Sequence, residues 1–235
     1  MTPQKICCTV TNIVEHDEHV YSVFLSPERP LPRFLAGQFL HLALDDYRPE
    51  DFWPDSRVFS IASSPSDPIL RITYAVKGAF TTRMETELCL DRKVWVKMPY
   101  GEFVIPNDRP ICLLAGGTGI TAFTAFVAGL QVAHADPVYL FYGARSEKLL
   151  IYREQIELAR TLCPDFHFWC FVEEQNPGTD FLKGRIDLDQ VFERIPNAEK
   201  VHFYLSGPPV MLAMLSAGFG DKHFPVEQIH TDAWE

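Results

Sequence analysis

The chain has 235 residues, enough for one large domain or two compact ones with a real core. It carries 21 Lys and Arg against 31 Asp and Glu, a formal net charge of −10, and both parts are acidic: 11 basic and 14 acidic residues up to residue 105, 10 and 17 beyond it. That balance argues against nucleic acid, where affinity rests on phosphate neutralisation by Lys and Arg, and no apolar run reaches the length of a bilayer span, so no membrane insertion is expected.

The opening MTPQKICCTV lacks the apolar core and small-residue cleavage site of a signal peptide, so a cytoplasmic location is expected. Six cysteines, Cys7, Cys8, Cys89, Cys112, Cys163 and Cys170, lie mostly among apolar neighbours, and none are spaced as C-x2-C. No iron–sulfur cluster, structural zinc or disulfide is expected from them.

In chain order, short β-branched and aromatic runs occupy 6–16, 20–25, 38–44, 57–62, 70–76 and 93–98, separated by Pro and Gly. Six such runs predict a small antiparallel barrel, interrupted by one helical insert over Thr81 to Leu88. From residue 111 the pattern changes. The continuous apolar run 111–116 reads as a buried parallel strand. A helix over Ile120 to Ala133 follows, then a strand at 138–144, a helix near Leu149–Arg160 and strands at 166–172 and 201–206. A helix from Pro208 to Ala217 and a short strand near Val226–Ile229 end the pattern. Strands alternating with helices predict an α/β parallel sheet, with a boundary giving domains 1–105 and 106–235.

The strongest local signal is LLAGGTGITAF (113–123), a buried strand running through Gly116, Gly117 and Gly119 into a helix. Glycines allow a phosphate close to the backbone, and the helix N-terminus adds free N–H groups and partial positive charge. The spacing is neither G-x-G-x-x-G nor a P-loop, and a tight turn without ligand is the alternative. YLSGPPVML (204–212) repeats the design, although alone it reads as a plain helix start. In YGARSEKLL (142–150) Arg145 stands where a ribose or 2′-phosphate is read, or is simply solvated. VKGAFTTRM (76–84) offers another helix N-terminus to an anion, with Thr81 or Thr82 as candidate N-cap. RVFS (57–60) taken alone is a half-buried strand with a polar face.

Together these stretches resemble the ferredoxin–NADP reductase family of flavoproteins, in order as well as content. The matching motifs are Arg57-Val58-Phe59-Ser60, Gly78-Ala79-Phe80-Thr81, Gly116-Gly117-Thr118-Gly119-Ile120, Ser206-Gly207-Pro208-Pro209 and Asp232-Ala233-Trp234, with AGQF (36–39) and PYGEF (99–103) as further landmarks. The resemblance implies an antiparallel six-stranded flavin-binding β-barrel followed by an α/β domain for a pyridine nucleotide. It implies that Arg57 meets a flavin phosphate, Phe59 packs on the ring or ribityl part, and Ser60 bonds near flavin N5. Tyr74 and Val76 would lie along the ribityl side, and Gly78 to Thr82, with Thr81, would hold a pyrophosphate. Gly117, Thr118, Gly119 and Ile120, with Gly207 and Pro208, would cradle NADH or NADPH, and Arg145 and Tyr152 would flank its adenosine end. Ser60, Ser206, Asp232 and Trp234 would surround the reacting atoms, with no metal.

Three residues depart from the family pattern: Phe59 for Tyr, Ser206 for Cys, and Trp234 for a smaller aromatic residue. The implied function is an NAD(P)H oxidoreductase that takes hydride onto bound FAD, with FMN as an alternative. Its electrons would pass to a separate ferredoxin, flavodoxin or oxygenase component. A reductase of free flavin, or an electron-transfer subunit of a larger complex, are the other readings.

Overall fold

The computed structural model describes residues 2–130, 136–174 and 178–232. The chain divides into two compact units, Met1–Val104 and Ile105–Glu235.

The first unit holds strands β1 (Gln4–Glu15), β2 (Val20–Pro27), β3 (Phe39–Ala43), β4 (Ser56–Ser60), β5 (Leu70–Ala75) and β6 (Lys93–Tyr100), with helix α1 (Ala79–Glu87) between β5 and β6. All pairings are antiparallel, in the order β4-β3-β6-β1-β2-β5. The edge strands meet just beyond β4: the Ala62 N–H donates to the Arg71 carbonyl at 2.8 Å, and Arg71 Nη2 donates to the Ala62 carbonyl at 3.0 Å. The sheet is therefore a nearly closed antiparallel barrel. Period-2 patterning builds its interior, as in β6, where Val94, Val96 and Met98 are buried while Trp95 and Lys97 are not. Ile6, Val23, Leu25, Leu40, Leu42 and Ile72 complete that core, each fully buried aliphatic side chain contributing about 1.5–3 kcal/mol relative to exposure.

Two loops of the barrel are fitted to each other. Gly37 has φ +95°, and a side chain there would strike the Phe103 carbonyl; Gly101 has φ +97° and faces the Phe39 ring. Between them, buried Gln38 accepts from the Leu35 N–H at 2.9 Å and donates to the Gly101 carbonyl at 3.0 Å. AGQF and PYGEF are thus the two halves of one contact.

Helix α1 is held by a chain of ion pairs. Arg83 meets Asp45 and Glu87 at 2.8 Å each, and Glu87 also meets Arg92 at 3.0 Å. Hydrogen bonds from Arg83 hold the Asp45 and Glu87 carboxyls below the usual carboxylate range. The helix begins two residues before the expected Thr81, with Gly78 as N-cap. Thr81 occupies the third helical position, where its Oγ1 accepts from the Lys77 and Gly78 N–H groups at 2.9 and 3.1 Å. A hydroxyl reaching back in this way lets the helix start earlier than a threonine N-cap would.

The second unit is a six-stranded, fully parallel sheet: β7 (Ile111–Gly116), β8 (Val138–Ala144), β9 (Phe166–Val172), β10 (Leu182–Lys183), β11 (His202–Ser206) and β12 (Ile229–Thr231), in the order β10-β9-β8-β7-β11-β12. Helices α2 (Thr121–Ala128), α3 (Arg153–Leu162), α4 (Leu188–Arg194) and α5 (Pro209–Asp221) connect the strands. Every residue of β7 is buried, as a central parallel strand requires. The strand order runs outward from β7 through β10 and then restarts on its other side with β11. The crevice between β7 and β11 is therefore the topological switch point, where open α/β sheets bind ligands.

Several elements differ from the sequence expectation. The helix expected at Ile120 to Ala133 is a single 3-10 turn (Gly117–Ile120) followed by α2, and residues 131–135 lie outside the described residues. The helix near Leu149 starts only at Arg153, after a 3-10 turn at Glu147–Leu149. Val226–Gln228 is a 3-10 turn, and the strand follows it at Ile229. Strand β10 and helix α4, capped by Asp187 on the Gln190 N–H at 3.1 Å, were not anticipated at all.

Edge strand β12 is held to β11 partly by two imidazoles. His202 Nδ1 and His230 Nε2 are 3.1 Å apart, with the rings parallel to 11° and their centroids 5.4 Å apart, an edge-to-edge hydrogen bond. Tyr204 stacks on His230 at 4.5 Å, and the Arg109–Asp108 pair also acts on His202. Burial, and then the Arg109 charge, lower the His202 pKa; burial, the His202 charge and Arg109 lower that of His230. Burial also lowers His16, and burial with Lys97 lowers His41. Among the described histidines only His19 is raised, by its exposed bond to Glu85.

The sign follows from linkage. For the four lowered histidines the unfolded chain binds more protons, so their stabilisation is present above about pH 6.5 and is lost as pH falls through the folded values. The exposed His19 pair opposes this only weakly. The thermal midpoint is expected to fall between pH 7.5 and pH 5.5; a flat or rising midpoint would contradict the burial of these rings.

Candidate functional site

In the barrel unit, Arg57 lies on β4 with its side chain half exposed, and its guanidinium sits over the Phe80 ring at 5.1 Å. Phe80 is the second residue of α1, so the guanidinium lies at that helix's N-terminus. First-turn N–H groups there have no intrahelical acceptor. A Cβ on the N-cap Gly78 would meet nothing within 4 Å, leaving the helix end open. Cation, helix end and open glycine form a donor set that fits a phosphate.

Next to this set, Phe59 is half-buried and meets Tyr74 edge-on at 6.2 Å. Tyr74 is buried, stacks on Tyr21 at 5.6 Å, and has its phenol pKa raised by burial. Val76 packs against the same core, and its N–H donates to the His19 carbonyl at 3.0 Å. Ser60 pairs with Phe39 of β3, and among the described residues its hydroxyl has no hydrogen-bond partner. Thr81 is half-buried and engaged with the Gly78 carbonyl at 3.0 Å, whereas Thr82 is exposed. Arg57, Phe59, Tyr74, Gly78 and Thr81 thus belong to one contiguous neighbourhood on β4, β5 and α1.

In the second unit, the turn after β7 and the turn after β11 touch backbone to backbone. A Cβ on Gly119 would strike the Ser206 carbonyl and the Gly207 amide, and one on Gly207 would come within 3.0 Å of the Gly116 backbone. Gly117 has φ +53° with open space around its Cα, and Thr118 beside it is half-exposed, its carbonyl accepting from Thr121 Oγ1 at 2.8 Å. Ile120 is fully buried and anchors the turn. Pro208 is exposed at the head of α5.

Ser206 and Asp232 are both buried, and Ser206 Oγ donates to Asp232 Oδ2 at 3.2 Å. The Asp232 N–H in turn bonds the Leu205 carbonyl at 2.8 Å. Trp234, expected beside them, lies outside the described residues. Arg145 is exposed at the end of β8, but Tyr152 is only 5 % exposed at the start of α3, a core position. Ser146 was missed by the sequence reading. Its Oγ is buried without a hydrogen-bond partner among the described residues, next to Arg145. A serine between two charged residues gives no pattern that would have exposed it.

Three buried thiols are held in their neutral form. Burial pushes the Cys8 thiol up to about 12 and Cys170 up to about 11, and raises Cys112 as well, so these sulfurs stay protonated. Among the described residues no group of three or more His, Cys, Asp or Glu could hold a metal, and no helix is long and apolar enough to cross a membrane.

Residues 113–217 match the oxidoreductase NAD-binding domain. Over its whole length the chain is similar to an NAD(P)H-flavin reductase of Vibrio harveyi, 29 % identical across 97 % of this chain and 98 % of that protein. It is 27 % identical to the reductase component of propane 2-monooxygenase of Rhodococcus jostii, matching 97 % of its own length but 63 % of the longer protein. A crystal structure of an Amycolatopsis cytochrome P450 reductase shares the fold, with TM-score 0.84, 22 % identity and coverage of 99 % of this chain and 70 % of that one. Domain match, end-to-end similarity and shared fold agree: the chain is similar to ferredoxin reductase-like flavoprotein reductases that bind FAD and a pyridine nucleotide.

Proposed function

We propose that the protein is a flavin-dependent NAD(P)H oxidoreductase, taking hydride from NADH or NADPH and passing the electrons on. The observation that carries this reading is the guanidinium of Arg57 over Phe80 at the open N-terminus of α1, in a chain whose second unit matches an NAD-binding domain. The flavin, when bound, supplies the hydride acceptor and the release of electrons singly or in pairs. FAD is the first candidate, because Gly78 to Thr82 offer a helix end suited to a pyrophosphate.

The residues have separable tasks in this reading. Arg57 and the first-turn amides of α1 take the flavin phosphate, Phe59 and Tyr74 give the ring an apolar wall, and Ser60 offers a free hydroxyl. Gly117 to Ile120 and Gly207 to Pro208 form the nucleotide's phosphate cradle, with Ser146 and Arg145 at its far end. Ser206 spends its proton on Asp232, so its oxygen presents lone pairs, not a donor, to a neighbouring group. A cytoplasmic location and a separate acceptor, as with the oxygenase component of the Rhodococcus relative, belong to the same proposal.

A second reading is that flavin is itself the exchangeable substrate; the Vibrio relative is named an NAD(P)H-flavin reductase. The observation favouring it is that Arg57 is already ion-paired with Asp55 at 2.7 Å.

The test is an absorption spectrum of the purified protein, identification of any released flavin, and parallel titration with NADH and NADPH. Arg57→Ala is expected to lose flavin affinity while Phe59→Tyr keeps it; no flavin bound and no stimulation by added flavin would sink the proposal. For the nucleotide cradle, Gly119→Ala drives a Cβ into the Ser206–Gly207 backbone, which is expected to cost about 3 kcal/mol of stability and to weaken NADH or NADPH binding at least about tenfold. Gly117→Ala meets no atom and is expected to cost only the left-handed strain, about 1–2 kcal/mol. Wild-type nucleotide affinity in Gly119→Ala would show that the contact of the two turns does not shape the site.

A further inference from the structure

The phosphate end of the barrel site carries its own competitor. Asp55 and Arg57 flank Ser56 at the start of β4, Asp55 at the bend just before the strand. Asp55 Oδ1 lies 2.7 Å from Arg57 Nη1, and the same nitrogen donates to the Ser56 carbonyl at 2.8 Å. The guanidinium is therefore folded back along its own strand. A second observation points the same way. The connection from β3 to β4, residues 45–55, carries five acidic residues (Asp45, Asp46, Glu50, Asp51, Asp55) against one basic residue, Arg48. Among the described residues Asp45 is ion-paired with Arg83 of α1 and Asp55 with Arg57, while Asp46, Glu50 and Asp51 make no ion pair. At the head of α1 the other cation is Lys77, which is exposed.

A ligand bringing a phosphate to α1 must share Arg57 with Asp55 and sit beside that carboxylate. A flavin without phosphate avoids both costs. Resting on the second reading above, in which flavin is an exchangeable substrate, we propose that Asp55 is a specificity-determining residue: it holds phosphate affinity down, so the site takes flavins by their ring system and exchanges them, accepting riboflavin alongside FMN. Both side chains are half exposed, so the effect has the size of a surface pair and is screened by salt.

The experiment is equilibrium titration of riboflavin and of FMN, followed by flavin fluorescence without pyridine nucleotide, for wild type, Asp55→Asn, Arg57→Ala and the double variant. Wild type is expected to bind the two flavins with similar affinity. Asp55→Asn is expected to tighten FMN about two- to five-fold, with a smaller change for riboflavin, and the selective gain should vanish when Arg57 is also alanine. Asp55→Glu, which can keep the pair, should restore the wild-type ratio. Equal shifts for both flavins, weaker FMN binding in Asp55→Asn, or tightly held stoichiometric flavin in the purified wild type would each overturn the assignment. If wild type binds neither flavin, the flavin reading falls with it; if both bind and the ratio does not move, only the role of Asp55 falls.

Discussion

No side chain fits between the turn after β7 and the turn after β11. Gly119 lies against the Ser206–Gly207 backbone and Gly207 against Gly116, so the two turns are in direct main-chain contact. Main chain brought this close presents amide groups without intervening atoms, which a phosphate-binding loop needs. The contact also sits where the parallel sheet reverses its strand order, the place such sheets reserve for ligands. Ser206 belongs to one of these turns, and it carries Asp232 at the end of β12 through its hydroxyl. The proposed phosphate cradle and the buried polar pair therefore share one backbone seam.

The barrel unit solves a similar problem by other means. The end proposed to bind a phosphate is a helix terminus supported from behind: Asp45, Arg83, Glu87 and Arg92 clamp α1 to the barrel, and Thr81 closes its first turn from inside. None of these groups need touch a ligand. They fix where the α1 amides stand relative to Arg57, whose guanidinium is paired locally with Asp55, the residue proposed above to trim its attraction for phosphate. Position comes from a network, while strength is trimmed by one carboxylate.

The strands were the readily legible part. Alternation in β6 and the unbroken apolar run of β7 are direct consequences of one-sided and two-sided burial, and both are written in consecutive residues. The glycine turn was legible because a run of glycines between a strand and a helix has few other uses. What stayed hidden depends on distant partners. Helix α4 follows a Pro-, Gly- and Asp-containing stretch and spans only seven residues, too short for a helical period to stand out. The early start of α1 turns on a hydroxyl bonding backwards, which the letters T-T do not distinguish from an N-cap. Tyr152, in a stretch expected as helix and next to the Arg145 loop, is core because of what packs around it. The Arg57–Phe80 and Arg57–Asp55 contacts differ in the same way. The first joins two elements far apart in sequence; the second spans two residues, but nothing in a sequence says which of several acids an arginine will face.

The coplanar imidazoles of His202 and His230 have room for one hydrogen between the facing nitrogens. A proton added to the neutral pair goes to an outer nitrogen and leaves that bond intact; a second must put N–H against N–H and break it. The two rings therefore share one titration with two macroscopic steps, and neither step is the property of a single histidine. The first is silent in structure. The second is the one that removes the side-chain bond between β11 and the edge strand leading to Asp232.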